Sequence, residues 1–274
     1  MSDWKYYNHA LIPSCAPHEI PDESQLKEEF KKNKKALFAR WTTDWDCGYE
    51  TNWWYVIKDE PFDIDKLKSK RRYEINKGLK NFEVRVIKPK DYIKDLYKIY
   101  ETSVSLYPKK YRQIADIELF TKWMNKEISQ ICFGAFNNDR LCGYALLNKK
   151  KKEINFSMLK VMQEFEKLGI NAALVYEILM YFNNELSTGL YIVDGQKSIL
   201  HETNFQNYLE KYFEFRKAYC SLHIKYRWFV RPIIIIMYPV RKLVKTSNNR
   251  LLYKIYSILQ MEEISRNCKK WRNR

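Results

Sequence analysis

Hydrophobic residues recur with the period of a helix in some segments of this chain and with the alternation of a β-strand in others. The points where the period changes predict the boundaries of its elements. Between residues 82 and 226 the pattern predicts a strand, two helices, three antiparallel strands, a helix, a strand, a helix and a strand. Two of these strands, ICFGAF and LCGYALL, flank the tight turn NNDR, which is typical of a hairpin. The segment INAALVYEILM, which follows Gly169, predicts a helix with an apolar face.

The regions before and after this core have different patterns. Residues 37–41 and 53–57 predict two aromatic strands around a polar turn, and LKSKRRYEINKGLK predicts a short basic helix that Gly78 ends. Beyond residue 229, the apolar run PIIIIMYPV precedes a basic segment that is predicted to be helical. The predicted domains are therefore a strand-rich extension over residues 1–80, a core over 81–229 and a C-terminal helical segment over 230–274.

The apolar run at residues 232–240 has two interpretations. Its nine residues are too few to cross a bilayer, which takes about 20. With the basic segment behind it, the run is suited to lie at a membrane interface. The alternative is that the run packs against the domain as a strand or helix.

Composition limits the class of protein. Hydrophobic residues make up 46% of the chain, which excludes a disordered protein. The six cysteines are far apart and form no C-x-x-C pair, so we expect neither a metal nor a redox site. Because the N-terminus MSDWKYYNHALIP lacks the apolar core of a signal peptide, we expect a cytoplasmic protein.

Half of the net charge of +16 lies at the end of the chain. The last 34 residues contain ten basic and two acidic residues, a net charge of +8. This excess suits an anionic partner: nucleic acid, a phosphorylated substrate, or acidic lipid at the inner face of the membrane. A solvated basic surface without a partner is the alternative.

Tryptophans and charged residues alternate in the segment RWTTDWDCGYETNWWY. Aromatic rings beside carboxylates are typical of sugar-binding clefts, since ring faces pack on the apolar side of a pyranose. The substrate pocket predicted here consists of Arg40, Asp44, Asp46 and Trp54. An edge hairpin packed on the core explains the same residues equally well.

A second polar segment, VDGQKSILHETNF, follows a predicted buried strand. Asp194, His201 and Asn204 are therefore expected at the carboxyl end of the sheet, where α/β folds bind ligands. His201, with a reference pKa of about 6.5, is a candidate base, and Asp194 is suited to orient it or to bind hydroxyls. The alternatives are a histidine that only forms hydrogen bonds and a simple turn at Asp194 and Gly195.

The order of elements over residues 82–226 resembles that of the GNAT acyl-CoA transferase superfamily. The segment LKSKRRYEINKGLKNFEVRVI is also similar to a stretch of the Fem-type aminoacyltransferases, which carry two GNAT-like units. The part before Phe82 is too short to be a complete second unit by itself. The resemblance implies an α/β (α+β) fold with a mixed, mostly antiparallel central sheet flanked by helices.

The resemblance also implies a donor site. In GNAT proteins a splayed strand end and the next helix N-terminus receive the coenzyme A pyrophosphate, at a turn of the pattern Arg/Gln-x-x-Gly-x-Gly/Ala. The corresponding turn here is EKLGIN, in which Glu166 replaces Arg or Gln and Asn171 replaces the small residue. A helix cap that binds no phosphate is the alternative. The implied positions for acetyl-CoA or another acyl-CoA are Leu159, Lys160, Val161, Lys167, Gly169, Ile170, Asn171, Ala172 and Asn204.

GNAT proteins often use a tyrosine as general acid, on the helix after the fifth strand, in the pattern Tyr-Glu-x-x-Gly-Phe. In NFQNYLEKYFEF the aligned position is Glu210, and Tyr208 and Tyr212 flank it. The resemblance makes either tyrosine a candidate acid. A core or surface role is the alternative for both.

Three functions follow from the resemblance. The first, which is the one we expect, is an acyltransferase that moves an acetyl or other acyl group from an acyl-CoA to an amine or hydroxyl of a small molecule, such as a sugar nucleotide or cell-envelope precursor; the other two are alternatives. The second is a Fem-type transferase with an aminoacyl-tRNA donor. The third is a GNAT-shaped binding or scaffold protein whose donor site has decayed, which the two departures in the turn favour. An RNA surface for the second function would consist of the C-terminal segment with Lys68, Lys70, Arg71 and Arg72.

Overall fold

The chain passes several times between two structural units. The computed structural model describes residues 2–107, 115–125, 130–199, 204–242 and 250–272. The first unit comprises Met1–Val56, Gln196–Asn204 and Lys217–Arg274. The second unit comprises Ile57–Gly195 and Phe205–Arg216.

The strands of the first unit come from both ends of the chain. They are β1 (Trp4–Tyr7), β2 (Ala10–Pro13), β3 (Phe38–Thr43), β4 (Trp53–Lys58) and β10 (Arg216–Tyr226). Their order in the sheet is β1-β2-β3-β10-β4, with β2 and β3 parallel and the β1–β2 and β3–β10 pairs antiparallel. The helices of this unit are α1 (Leu26–Lys32), α8 (Val230–Met237) and α9 (Arg250–Arg272).

Helix α9 supplies part of the core of the first unit. Its residues Met261, Ile264 and Cys268 are buried beside Trp53 of β4 and Leu222 of β10. Burial of large apolar side chains is the main stabilising term in a core of this kind. Part of the segment predicted as a basic tail is therefore structural.

The second unit contains the remaining elements. Its strands are β5 (Glu83–Ile87), β6 (Gln130–Asn137), β7 (Arg140–Lys150), β8 (Glu153–Val161) and β9 (Tyr191–Gln196), in the order β9-β8-β7-β6-β5. The β8–β9 pair is parallel, and the other pairs in this series are antiparallel. Its helices are α2 (Ser69–Asn81), α3 (Ile93–Ser105), α4 (Ile117–Met124), α5 (Gln163–Glu166), α6 (Ile170–Leu186) and α7 (Asn204–Phe213).

The predicted fold class is confirmed, with a mixed, mostly antiparallel set of strands flanked by helices. The order of elements after residue 82 is also the predicted one, apart from the short added helix α5. The predicted hairpin joins β6 and β7, and its turn residues Asn138 and Asp139 have φ values of 48° and 64°. Two left-handed residues in succession define the type I′ turn that the twist of a hairpin favours.

Gly78 does not end helix α2, and that prediction was wrong. The helix continues to Asn81, with Gly78 buried inside it. A Cβ at Gly78 would clash with the carbonyl oxygen of Gly169 and lie 3.0 Å from the backbone nitrogen of Ala173, at the start of α6. The glycine therefore allows two helices to approach closely, a long-range role that the local sequence does not reveal.

The strands near the N-terminus are completed by a distant part of the chain. Strand β10 lies between β3 and β4, so the two predicted aromatic strands do not pair with each other. The division at residues 80 and 229 concerns segments along the sequence, and it stays a prediction. Among the described residues, no helix has both the length and the hydropathy needed to span a membrane.

Candidate functional site

The parallel strands β8 and β9 separate at the end of a short ladder. Their pairing covers Glu153–Asn155 and Tyr191–Val193, whereas β8 continues to Val161. A bulge in β8, where the register against β7 shifts between Leu146 and Leu147, lies just beyond the ladder. The separation opens the sheet directly after Val193, so Asp194 is the first residue beyond the paired section.

Asp194 is the most perturbed carboxyl group beside this opening. Burial raises its pKa to about 7, because the charged form loses hydration. Its carboxylate forms no ion pair with any residue that the structure describes, and the Gln206 side chain donates to its backbone oxygen at 2.9 Å. A carboxyl group with a pKa near neutral pH is suited to accept a proton from an amine or hydroxyl.

Helix α7 brings the two candidate tyrosines together. The rings of Tyr208 and Tyr212 lie 5.0 Å apart between centroids, and Tyr208 also stacks on Phe205 at 6.2 Å. Burial raises the pKa of Tyr208, so its hydroxyl keeps its proton at neutral pH. Asn204 is exposed at the start of the helix, whereas the candidate base His201 lies outside the described residues.

The turn at Gly169 is closely packed. Gly169 has a φ of 86°, in the left-handed region that favours glycine, and it precedes the first turn of α6. The N–H groups of Leu168 and Gly169 already donate within the turn, each at 3.0 Å. The Gly78 nitrogen of α2 lies 2.9 Å from where a Cβ of Gly169 would be. Helix α2 therefore covers one side of the predicted phosphate turn.

The other positions predicted to bind the donor lie around this turn and on β8. Asn171 is half-buried and Lys167 is exposed, whereas Ile170 and Ala172 are buried in the helix face. On β8, the Lys160 ammonium donates to the Tyr107 hydroxyl at 2.8 Å. Leu159 is half-buried, and the Val161 carbonyl accepts from the Ser103 hydroxyl at 2.9 Å. Coenzyme A binding at these residues stays a prediction.

Arg40 of the first unit has no carboxylate partner among the described residues. With the amide of Gln196 oriented so that its oxygen faces Arg40, the guanidinium donates to it at 3.2 and 2.7 Å. The Tyr55 hydroxyl lies 3.4 Å from the same amide. Burial lowers the pKa of Arg40, which stays protonated at neutral pH all the same. A half-buried guanidinium without a carboxylate partner in the described part of the chain is suited to hold an anionic group.

Trp54 lies in a separate cluster from Arg40. Its neighbour Tyr55 is in the Arg40 cluster, and successive side chains of β4 point to opposite faces of the sheet. The ammonium groups of Lys197 and Lys217 lie 4.1 and 4.9 Å from the centre of the Trp54 ring. Burial, together with the nearby Lys217, lowers the pKa of Lys197. The sequence pattern around Trp54 did not reveal these two lysines, which reach it from distant segments.

Asp44 and Asp46 follow β3 in left-handed conformations, with φ values of 53° and 51°. Asp44 accepts from the hydroxyl of Thr43 at 3.3 Å, an interaction typical of a local turn. The structure thus brings Arg40 and Trp54 into two different clusters and places the two aspartates in a turn. A substrate pocket that includes all four residues stays a prediction.

Basic side chains are concentrated on helix α2. Lys68, at its N-cap, and Lys70 are exposed, and Arg71 is half-buried; none forms an ion pair within the described part of the chain. Arg72 lies 3.8 Å from Asp65. No cluster of three or more metal-ligating side chains occurs in the described ranges.

Comparison with known proteins supports the fold. No protein-family model and no curated protein sequence matches the chain. The structure of FemX aligns over 85% of this chain and 85% of that chain, with a TM-score of 0.57 and 10% identity. The C-terminal domain (DUF2156) of a provisionally named lysylphosphatidylglycerol synthetase from Agrobacterium fabrum aligns over 85% and 82%, with a TM-score of 0.52 and 10% identity. L-PGS from Bacillus licheniformis aligns over 85% and 83%, with a TM-score of 0.49 and 11% identity.

The similarities to FemX and to the synthetase domain from Agrobacterium fabrum define the structural class of the chain. It has a GNAT-like fold, and it shares this fold with FemX over most of both chains. At 10% identity the similarity concerns the fold, and the chemistry must be argued from the residues.

Proposed function

We propose that this protein transfers an aminoacyl group from aminoacyl-tRNA to an amine or hydroxyl of a cell-envelope precursor. The observation that carries the proposal is the extent of the structural similarity. The alignments with FemX and with the synthetase domain each cover 85% of this chain, well beyond the 145-residue stretch whose element order resembles GNAT proteins. The name of the synthetase gives lysylphosphatidylglycerol, an aminoacylated lipid, as its product.

In the proposed reaction, the acid and base groups come from Asp194, beside the opening between β8 and β9, and from helix α7. The acceptor nitrogen or oxygen attacks the ester carbonyl of the donor, the ester C–O bond breaks, and the terminal ribose of tRNA leaves. Asp194, with its pKa near 7, takes the proton from the acceptor. Tyr208 is protonated and is suited to return a proton to the leaving oxygen. Tyr212, in ring contact with Tyr208, is the second candidate for this role.

Helix α2 offers a surface for the RNA. Lys68, Lys70 and Arg71 are cations without carboxylate partners among the described residues, and they follow one another closely along the helix. Such unpaired cations bind phosphates and release counterions, which gives affinity without base sequence preference.

An acyl-CoA donor is the second candidate. The left-handed Gly169 and the 17-residue helix α6 after it, with the sheet open beside β8, favour this donor. Two observations argue against an acyl-CoA donor. Helix α2 packs against Gly169, and two N–H groups of the turn already donate to carbonyl oxygens within it. Asn171→Asp tests this candidate, since a carboxylate in the first turn of α6 suits the helix dipole but repels a phosphate.

A transfer assay separates the two donors. Purified full-length protein is incubated with tRNA charged separately with 14C-labelled lysine, alanine, serine or glycine, and in parallel with 14C-acetyl-CoA. Phosphatidylglycerol vesicles and a nucleotide-linked sugar peptide serve as acceptors. We expect label to move from at least one aminoacyl-tRNA and not from acetyl-CoA. Asp194→Asn should lower the rate by about 100-fold or more, because it removes the base.

The control for this assay is Asp139→Asn, the same substitution in the β6–β7 turn, where asparagine tolerates the positive φ. It should leave the rate unchanged. Transfer from acetyl-CoA alone, lost in Asn171→Asp, would establish the second candidate instead. Full transfer by Asp194→Asn would remove Asp194 from the mechanism while leaving the donor assignment in place.

A further inference from the structure

Helix α8 has an apolar face on each of two sides. Val230 and Ile234 are buried in a cluster with Leu259 of α9, which fixes the orientation of the helix. Ile233 and Ile236 lie on another side and are 53% and 75% exposed. The spacing of three residues between them places both on one helical face. The exposed apolar face is therefore not the one that anchors α8 to the rest of the first unit.

Neighbouring residues extend the exposed apolar surface. Trp228 is 86% exposed just before the helix, and Phe229, Ile235 and Val240 are also well exposed. Single exposed apolar residues are common on soluble proteins, but six within 13 residues form a patch. We call the six exposed apolar residues of this segment the α8 patch: Trp228, Phe229, Ile233, Ile235, Ile236 and Val240.

The charged residues that flank the α8 patch along the chain are all basic. Residues 225–242 contain five basic residues and no acidic ones. Arg227 donates to backbone carbonyls such as Ala36 O at 2.6 Å, and Arg241 pairs with Glu263 at 2.9 Å. The other three, Lys225, Arg231 and Lys242, are exposed.

We propose that the α8 patch docks the protein on the surface of an anionic lipid bilayer. Tryptophan and isoleucine would enter the boundary between headgroups and acyl chains, and the exposed cations would contact acidic headgroups. The charge argues against a second copy of the chain as the occupant. In a two-fold dimer the patch would face itself, and its cations would repel one another.

Vesicle binding tests the proposal independently of any transfer activity. Full-length protein is sedimented with vesicles of phosphatidylcholine alone or with phosphatidylglycerol added, at low and high salt. We expect binding to the anionic vesicles, with a lower affinity at high salt because the headgroup contacts are screened. Ile236→Glu should lower the partition coefficient about tenfold or more, since it puts a charge into the apolar boundary.

Ile20→Glu is the matched control. Ile20 is 70% exposed and lies far from the patch in sequence, and the substitution makes the same change in charge and side chain. It should change vesicle binding by about twofold at most, through net charge alone. Equal melting temperatures of the two variants and the native protein show that any loss concerns the surface.

Three outcomes would overturn the proposal. They are equal binding to vesicles with and without phosphatidylglycerol, equal loss in both variants, and no binding at all. A concentration-dependent dimer that Ile236→Glu dissociates, without vesicle binding, would assign the patch to a second copy instead. Because none of these outcomes measures acyl transfer, each leaves the proposed function untouched.

Discussion

Asp194 combines position and chemistry more clearly than any other described side chain. It directly follows the last residue of β9 that pairs with β8, where these two strands separate, and burial raises its pKa to about 7. Asp194 is half-buried and forms no ion pair with a described residue. Ionising a carboxyl group that has lost hydration costs stability, and such costs are often found at functional sites. The same property that suits Asp194 to act as a base therefore makes it a local weakness of the fold.

This weakness gives a pH-dependent prediction for stability. The folded-state pKa of about 7 lies above the reference value of 3.8, so the folded protein binds the proton more tightly than the unfolded chain does. The contribution of protonated Asp194 to the free energy of unfolding is therefore complete below about pH 4. It is lost as pH rises to about 7, which lowers the free energy of unfolding by up to about 4 kcal/mol. Asp194→Asn should remove this slope.

Thermal melts of both proteins between about pH 4 and pH 8 measure the effect. The variant should gain in melting temperature relative to the native protein as pH rises, and the two should differ least at the acid end. Asp139→Asn, in the exposed turn, should follow the native curve. A constant difference across the range would contradict the raised pKa of Asp194.

Part of the site could be predicted at the residue scale. Asp194 follows a recognisable buried strand, and the tyrosines of α7 lie in a segment that resembles a GNAT pattern, so the sequence offered these residues as candidates. Their role in a site stays a prediction. Gln196, Lys197 and Lys217 were missed, because their partners Arg40 and Trp54 are more than 140 residues away in the chain. No local pattern indicates such pairs.

The contact between α2 and α6 is the most informative feature at the scale of elements. Two glycines, Gly78 and Gly169, face each other across it, with backbone against backbone. A glycine inside a helix normally destabilises it by about 1 kcal/mol relative to alanine. Here a tertiary contact outweighs that local preference, which explains why the local signal at Gly78 predicted a helix end.

Gly78→Ala should therefore lower the free energy of unfolding by about 1–3 kcal/mol, although alanine is the better helix former. The reason is that the new methyl group would meet the rigid backbone of Gly169. Asn76→Ala, at an exposed position of the same helix, is the control and should stabilise slightly. Denaturant unfolding of the three proteins measures both effects, and a stabilised Gly78→Ala would contradict the described contact.

At the scale of the whole molecule, the sequence predicted the second unit well and the first unit poorly. Within residues 82–195 of the second unit, most strands that pair are close in sequence, so hydrophobic period and turns were enough to order them. The sheet of the first unit needs β10 between β3 and β4, and its core needs α9. Such pairing depends on contacts across most of the chain, which a local pattern does not encode.

The location of the positive charge is also a property of the whole molecule that the sequence alone does not give. The total of +16 predicts an anionic partner without saying where it binds. Helix α2 of the second unit carries cations without carboxylate partners among the described residues. In the first unit, cations border the exposed apolar residues of the α8 patch. We assign the first surface to RNA and the second to lipid.

The most direct test of the central claim is a binding titration of the protein with aminoacyl-tRNA over a range of salt concentrations, beside coenzyme A. We compare the native protein with the double variant Lys70→Gln and Arg71→Gln, and with Lys151→Gln and Lys152→Gln in the exposed β7–β8 turn as the charge-matched control. An aminoacyl-tRNA transferase should show a steep salt dependence of its tRNA affinity and no binding of coenzyme A. The slope should fall by about one to two in the α2 variant and stay unchanged in the control. Coenzyme A binding without salt-dependent tRNA binding would contradict the proposed donor.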